Sequence, residues 1–264
     1  MVVLILLIVM DFMYRLTSIV IGFLAGFIGS MLGVGGGFFI VPMIVYFLGV
    51  SMHLAVSVSL MCVIMTSLSA TKVYSSKGLV DFKLGLLLEI FTSLGAITGS
   101  YIALGVEEYI LKIVFGLVLS YAALRMILSR TVRERKVKLS KKKIALGSLG
   151  SYFAGVASGM LGIGGGTLKV PVMVLLMGVP IRTAIATSSF MIGVTASSAA
   201  IVYLSSGVFD LVIAGFIIVG IFVGAQIGSR IGLGVRGIWL RRGFGVLLLV
   251  FALKMLFDGL SVIL

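Results

Sequence analysis

Lys169 and Glu89 have chemistry that conflicts with their setting, because Glu89 lies well inside an apolar segment and Lys169 in a short apolar one, three residues after a glycine cluster. An ionisable side chain held in hydrocarbon is costly, so by default it marks a site. Lys169 can serve as the counter-charge for an anion; otherwise its stem snorkels to an interface. Glu89 can carry a coupling proton, pair with a cation, or face a wet crevice. Around these two charges the chain offers hydroxyls and glycines rather than further charge.

The glycines come in two clusters, Gly33-Val34-Gly35-Gly36-Gly37 and Gly162-Ile163-Gly164-Gly165-Gly166, which coincide at an offset of 129 residues. At the same offset Pro42 falls on Pro171, Thr66 on Thr195, Tyr74 on Tyr203 and Asp81 on Asp210. Setting residues 22–106 over 151–235 gives 31 identities in 85 positions without a gap. Apolar composition would scatter its matches; here glycines, a proline, an aspartate and a tyrosine stay in register, so one module is used twice. Lys169 and Glu89 break that symmetry, since their counterparts are Ile40 and Ile218.

A glycine cluster within an apolar helical run lets backbone approach a ligand closely. A helix restarting after it points unpaired N–H groups and a positive dipole end at the break, which suits an anion. The alternative is close helix packing through small residues. The third segment of each repeat is rich in hydroxyls, with Ser59/Ser188, Thr66/Thr195 and Ser69/Ser198 as matched pairs. Spacings of seven and three place them on one helical face. Such hydroxyls line a pathway, or they bond back to their own helix. The candidate substrate-binding set is Gly33, Gly35, Gly36, Gly37, Pro42, Ser59 and Thr66, with Gly162, Gly164, Gly165, Gly166, Lys169, Pro171, Ser188 and Thr195.

Enzymatic chemistry has little to stand on. No triad, carboxylate pair or Ser–Lys dyad is apparent, and His53 is the one histidine, read as a surface residue. No metal and no cofactor is expected. Gly-x-Gly-Gly-Gly lacks the Lys-Ser/Thr ending and the preceding strand of a nucleotide-binding loop. Cys62 lies in an apolar run and reads as a small buried side chain. Asp81 and Asp210 each follow a glycine and precede an apolar segment, as N-caps do.

The elements that must position these residues are membrane helices. The chain of 264 residues is 61% hydrophobic and 11% charged, with a mean hydropathy of +1.31; soluble domains carry about 25% charged residues. The net charge of +13 is no sign of nucleic acid: residues 129–143 hold eight Lys or Arg, as a cytoplasmic loop beside anionic lipid does. Residues 1–10 lack a basic lead and an A-x-A pattern, so no removable signal peptide is read. The expected organisation is an N-terminal extension over 1–16, a transmembrane repeat over 17–128, the basic linker over 129–143 and a second repeat over 144–264. Residues 38–48 and 167–177 are too short to cross a bilayer, which takes about 20 residues. They suggest broken or re-entrant half-helices meeting inside the protein.

With the linker in the cytoplasm, counting segments puts the Lys77 to Lys83 turn, Arg182 and the Arg230, Arg236, Arg241, Arg242 group inside, and the Glu107-Glu108 turn outside. Charged turns of one repeat face uncharged or opposite turns of the other. The expectation is therefore an all-α polytopic membrane protein of two inverted-topology repeats, as in many secondary transporters.

The run AGFIGSMLGVGGGFFIVPMIVYFLGV, its partner AGVASGMLGIGGGTLKVPVMVLLMGV, and the Gly-x-x-Asp turns at Gly78 and Gly207 resemble the TauE/SafE sulfite exporter family. The resemblance covers about residues 20–257. It implies a permease in the cell membrane for sulfite, organosulfonates or related small anions, with the glycine clusters and Pro42 and Pro171 as its substrate region. Lys169 and Glu89 are not part of that shared signature. The expected function is secondary transport of a small anion by alternating access, with a coupling proton as a candidate partner. An anion channel and a membrane partner protein that transports nothing are the rival readings. The substrate itself, the direction and the oligomeric state do not follow from the sequence.

Overall fold

The computed structural model describes residues 2–32, 36–128, 140–232 and 238–263. Its elements are α1 (Val2–Leu32), α2 (Gly37–Leu48), α3 (Met52–Ser76), α4 (Phe82–Leu104), α5 (Glu108–Leu128), α6 (Lys141–Leu161), α7 (Gly166–Pro171), α8 (Ile181–Ser205), α9 (Leu211–Gly232) and α10 (Ile238–Leu260). A π-helical turn, Val172–Met177, continues α7. The described residues contain no strand. Eight helices among them are long and apolar enough to cross a membrane; α2 and the stretch from α7 to Met177 are not. The outer surface carries side chains such as Leu211, 75% exposed, and Phe257, 72% exposed. This is a polytopic helical membrane protein, solvated by lipid where a soluble protein meets water.

Local chemistry sets the helix ends. The Asp81 carboxylate accepts from the Leu84 N–H at 3.0 Å. That of Asp210 accepts from the N–H groups of Val212 and Ile213 at 2.8 and 3.0 Å. Both are the N-caps that their spacing suggests. Pro171 has no N–H to donate, and the helix widens into its π turn immediately after it. α1 runs unbroken across residues 16 and 17, so the N-terminal extension and the first span are one helix. The basic linker gives way to helix at Lys141, capped by Ser140. Its residues 129–139 lie outside the described residues.

The helices pair by bare backbone. A Cβ on Gly95 or Gly99 of α4 would stand 2.1 Å from the carbonyl oxygen of Tyr152 or Val156 on α6. A Cβ on Gly224 or Gly228 of α9 would stand 2.1 or 2.3 Å from that of Phe23 or Phe27 on α1. These are the same contacts shifted by 129 in both partners. The α5–α10 contact maps onto itself under that shift. Gly116 meets Ala252, Gly245 meets Ala123 and Gly259 meets Tyr109, so the register runs antiparallel. Small residues supply this packing because lipid gives no hydrophobic drive between helices.

Two halves result, each taking one long helix from the other repeat. α1 and α3 pack with α9, and α2 with α1 and α3; α6 and α8 pack with α4, and α7 with α8 and α6. The α3–α8 and α5–α10 contacts join them. Gly147, near the start of α6, packs against Met177 at the end of the π turn. The chain thus goes in along α6 and comes back along α7 to the same end. Because α4 and α6 run parallel, their starts share one face of the molecule. Asp81, whose N–H donates to the Thr187 hydroxyl at 3.0 Å, brings the start of α8 there too. Lys83, the 141–143 turn and Arg182 therefore gather on one side. His53 begins α3 on the other, its Nε2 2.9 Å from the Ala103 carbonyl oxygen at the end of α4; it is a tie between helices rather than a simple surface residue.

Candidate functional site

The two glycine clusters meet. A Cβ on Gly37 would lie 2.7 Å from the Gly162 carbonyl oxygen and 2.8 Å from the Ile163 Cα. Gly33 and Gly35 lie outside the described residues. Gly36 takes φ +80° and Gly162, Gly164 and Gly165 take +68°, +70° and +71°, the left-handed region that only glycine enters cheaply. Gly36 and Gly165 play matching parts, since their carbonyls accept the first N–H bonds of α2 and α7. Gly164 lies against Val63 and Ile192. In this conformation the second cluster is packed against protein, and backbone of that cluster, not a cavity, faces the start of α2.

The hydroxyls divide by role. Ser59 donates to the Gly162 carbonyl at 2.7 Å, and Ser188 donates to that of Gly166 at 3.5 Å. This matched pair ties the cluster's backbone to α3 and α8. Thr66 bonds back to the Val63 carbonyl at 2.9 Å. Pro42 is buried within α2 and Pro171 is half-buried. A cavity of about 10 Å3, near the volume of one water, is lined by Ser30, Thr66, Ser67, Ala70 and Ser189.

Thr195, Lys169 and Glu89 come together. Lys169 is fully buried and Glu89 is 4% exposed. The Lys169 Nζ lies 3.6 Å from Glu89 Oε2 and donates to the Thr195 hydroxyl. That hydroxyl donates to Glu89 Oε1 at 2.5 Å. Thr92 donates to Oε2 at 2.9 Å, and Ser93 to Oε1 at 3.0 Å. The carboxylate comes from α4, the ammonium from α7 and the bridging hydroxyl from α8, so both repeats contribute. Buried charges persist when paired and hydrogen-bonded, and every oxygen of this carboxylate is met.

The sequence reading does not single out Thr92, Ser93 or Ser158. Thr92 and Ser93 were legible, at i+3 and i+4 from Glu89 on one helix. Ser158 has no partner among the described residues although its hydroxyl is buried. A methyl on Gly165 would touch both the Ser158 Cβ, at 3.1 Å, and the Lys169 Cε, at 3.2 Å. The serine thus borders the lysine's end. Its counterpart in the other repeat is Gly29, which lines the small cavity. The charged cluster and that cavity therefore occupy corresponding places: Thr195 matches Thr66, and Ser158 matches Gly29.

A buried cation with a carboxylate and hydroxyls about it thus lies beside a glycine break between membrane helices. The model of the sulfite exporter TauE/SafE family matches residues 18–255. The chain belongs to the TauE/SafE sulfite exporter family. Its relatives include the probable membrane transporter protein YunE of Bacillus subtilis, 26% identical over 267 residues, covering 92% of this chain and 97% of YunE. A probable membrane transporter protein of Xylella fastidiosa is 27% identical over 247 residues, covering 90% of this chain and 93% of its own length. One from Methanocaldococcus jannaschii is 26% identical over 194 residues, covering 71% and 72%. No solved structure matches the chain. As a TauE/SafE protein with these relatives, the chain is a membrane transporter.

Proposed function

We propose that this protein is a secondary transporter of small anions, of the class of sulfite, organosulfonates and other sulfur oxyanions, and that Lys169 is the counter-charge its substrate meets. The observation that carries this reading is a fully buried ammonium beside the paired glycine breaks. A cation in that place can meet an anionic substrate as its counter-charge. Glu89 is the candidate carrier of a coupling proton.

The mechanism is alternating access between two inverted repeats. In its support, contacts recur at the 129-residue shift with partners exchanged, and α5 and α10 run antiparallel. A two-fold axis crossing the helices, in the plane of the membrane, accounts for both. Rocking would take place across the α3–α8 contact, where the two halves meet. The gathering of Lys83, the 141–143 turn and Arg182 on one side fits a cytoplasmic linker in the cell membrane.

Proteoliposomes of the purified protein test the reading. At least one of labelled sulfite, methanesulfonate, thiosulfate and sulfate should enter saturably, be stimulated by the same unlabelled anion on the other side, and stop entering in Lys169→Met. Saturable flux without trans-stimulation would make it a channel. No flux of any of these anions through folded protein would overturn the anion reading.

A further inference from the structure

We propose that the Glu89 carboxylate is a built-in occupant of the anion site, so that each substrate anion displaces it from Lys169 only as Glu89 takes up one proton. The proposal rests on the anion-transport reading above and names the charge class of its substrate. Among the described residues, Lys169 is the one cation that Glu89 meets. The other titratable or charged side chains on the elements packed around it are engaged elsewhere or sit at helix starts. Tyr152 of α6 donates to Thr98 at 3.4 Å. Tyr203 of α8 donates to the Gly159 carbonyl at 3.1 Å. Lys142, Lys143 and Arg182 stand in the first turns of α6 and α8, and on α4 itself Asp81 and Lys83 begin the helix.

The charges balance one way. Ammonium and carboxylate now sum to zero in a site that excludes water. A singly charged anion arriving alone would leave a net negative charge buried, which is costly. If a proton enters from the same aqueous phase, an O–H bond forms on the Glu89 carboxyl. The Lys169–Glu89 ion pair is then replaced by a Lys169–anion pair, and the sum stays zero. A doubly charged anion with one proton would still leave one negative charge. The site therefore takes monovalent oxyanions, such as bisulfite or a sulfonate, and rejects sulfate. Thr92 and Ser93 turn their hydroxyls to hold the carboxyl in either form, since a hydroxyl both donates and accepts. Ser158, buried without a partner beside the lysine's end, is the donor left for the incoming anion.

The test is calorimetry of the purified protein with methanesulfonate, bisulfite and sulfate, in buffers of different ionisation heat, so that protons are counted as anions bind. The wild type should take up one proton per monovalent anion and bind sulfate at least about tenfold more weakly. Glu89→Gln, which keeps the shape of the side chain, should bind the monovalent anion roughly tenfold tighter with no proton uptake. In proteoliposomes it should lose accumulation driven by a pH gradient. Monovalent binding without proton uptake in the wild type overturns the exchange but leaves the transport reading standing. So does one proton per anion persisting in Glu89→Gln. Failure of all three anions to bind or cross overturns the transport reading, and the exchange with it.

Discussion

The Glu89 carboxylate lies 3.6 Å from the Lys169 ammonium although 79 residues separate the two along the chain, and the Thr195 hydroxyl bridges them. Their counterparts at the 129-residue shift are Ile40 and Ile218, each in the opposite repeat, so charges here stand where apolar side chains stand there.

That substitution across the repeats makes the pair's energetics measurable. Lys169→Ile or Glu89→Ile leaves one buried charge without its partner and should cost about 3–5 kcal/mol. The double replacement installs the residue type that Ile40 and Ile218 already supply at the corresponding positions and should recover most of that loss. Thermal unfolding in detergent, read as a double-mutant cycle, decides it. Additive losses would mean that the two charges do not stabilise each other.

Thr195→Val should remove a hydrogen bond at each charge and cost about 1.5–3 kcal/mol, the range for bonds to ionised groups. Thr195→Ser keeps the hydroxyl and should unfold close to the wild-type temperature. A valine variant as stable as the serine one would remove Thr195 from the cluster.

Gly95→Ala would push a methyl to within 2.1 Å of the Tyr152 carbonyl oxygen and should destabilise by about 1–3 kcal/mol through overpacking of α4 on α6. Gly215→Ala, with nothing within 4 Å of its added methyl, should be neutral or gain up to about 1 kcal/mol of helix propensity. Equal melting temperatures for the two variants would contradict the close approach.

Gly164→Ala combines φ +70° with a methyl 2.6 Å from Val63. Gly49→Ala has φ +66° and open space. The second should cost about 1–2 kcal/mol, the strain of left-handed backbone. The first should cost clearly more and slow transport with it. Chemical-denaturant titrations of both variants, beside flux, make the comparison.

Single cysteines at Lys83, Lys142 and Arg182 should react with a membrane-impermeant maleimide from one side of the cell membrane, and one at Glu107 from the other. Cys62 is fully buried and should stay silent as background. Labelling of Lys83→Cys and Glu107→Cys from the same side would undo the proposed topology.

Much of the architecture was readable because membrane helices announce themselves one segment at a time. Hydropathy, the two short segments and the 129-residue register each come from near neighbours in the chain, and the helices begin and end close to where they point. Asp81 and Asp210 as caps were equally local. The hydroxyls were harder. Ser59, Ser188 and Thr195 share a pattern along the sequence, yet the first two hold cluster backbone and the third joins an ion pair. What a hydroxyl bonds to depends on which helix crosses it.

By itself, then, the sequence determined the class of protein, its internal duplication, and that Lys169 and Glu89 are out of place in their surroundings. Those follow from composition and period, which act within a helix. The tertiary structure alone decided that the two misplaced charges answer each other. Glycine backbone packs α4 against α6, and only the packing of α4, α7 and α8 in one half brings a carboxylate from one repeat to an ammonium in the other. The same packing decided that Ser158 is buried beside the lysine without a partner, and that the second half of the α6–α7 pair returns to the face it came from. Spacing along a chain carries the direction of a side chain on its own helix; it carries nothing about the neighbour that the side chain will meet.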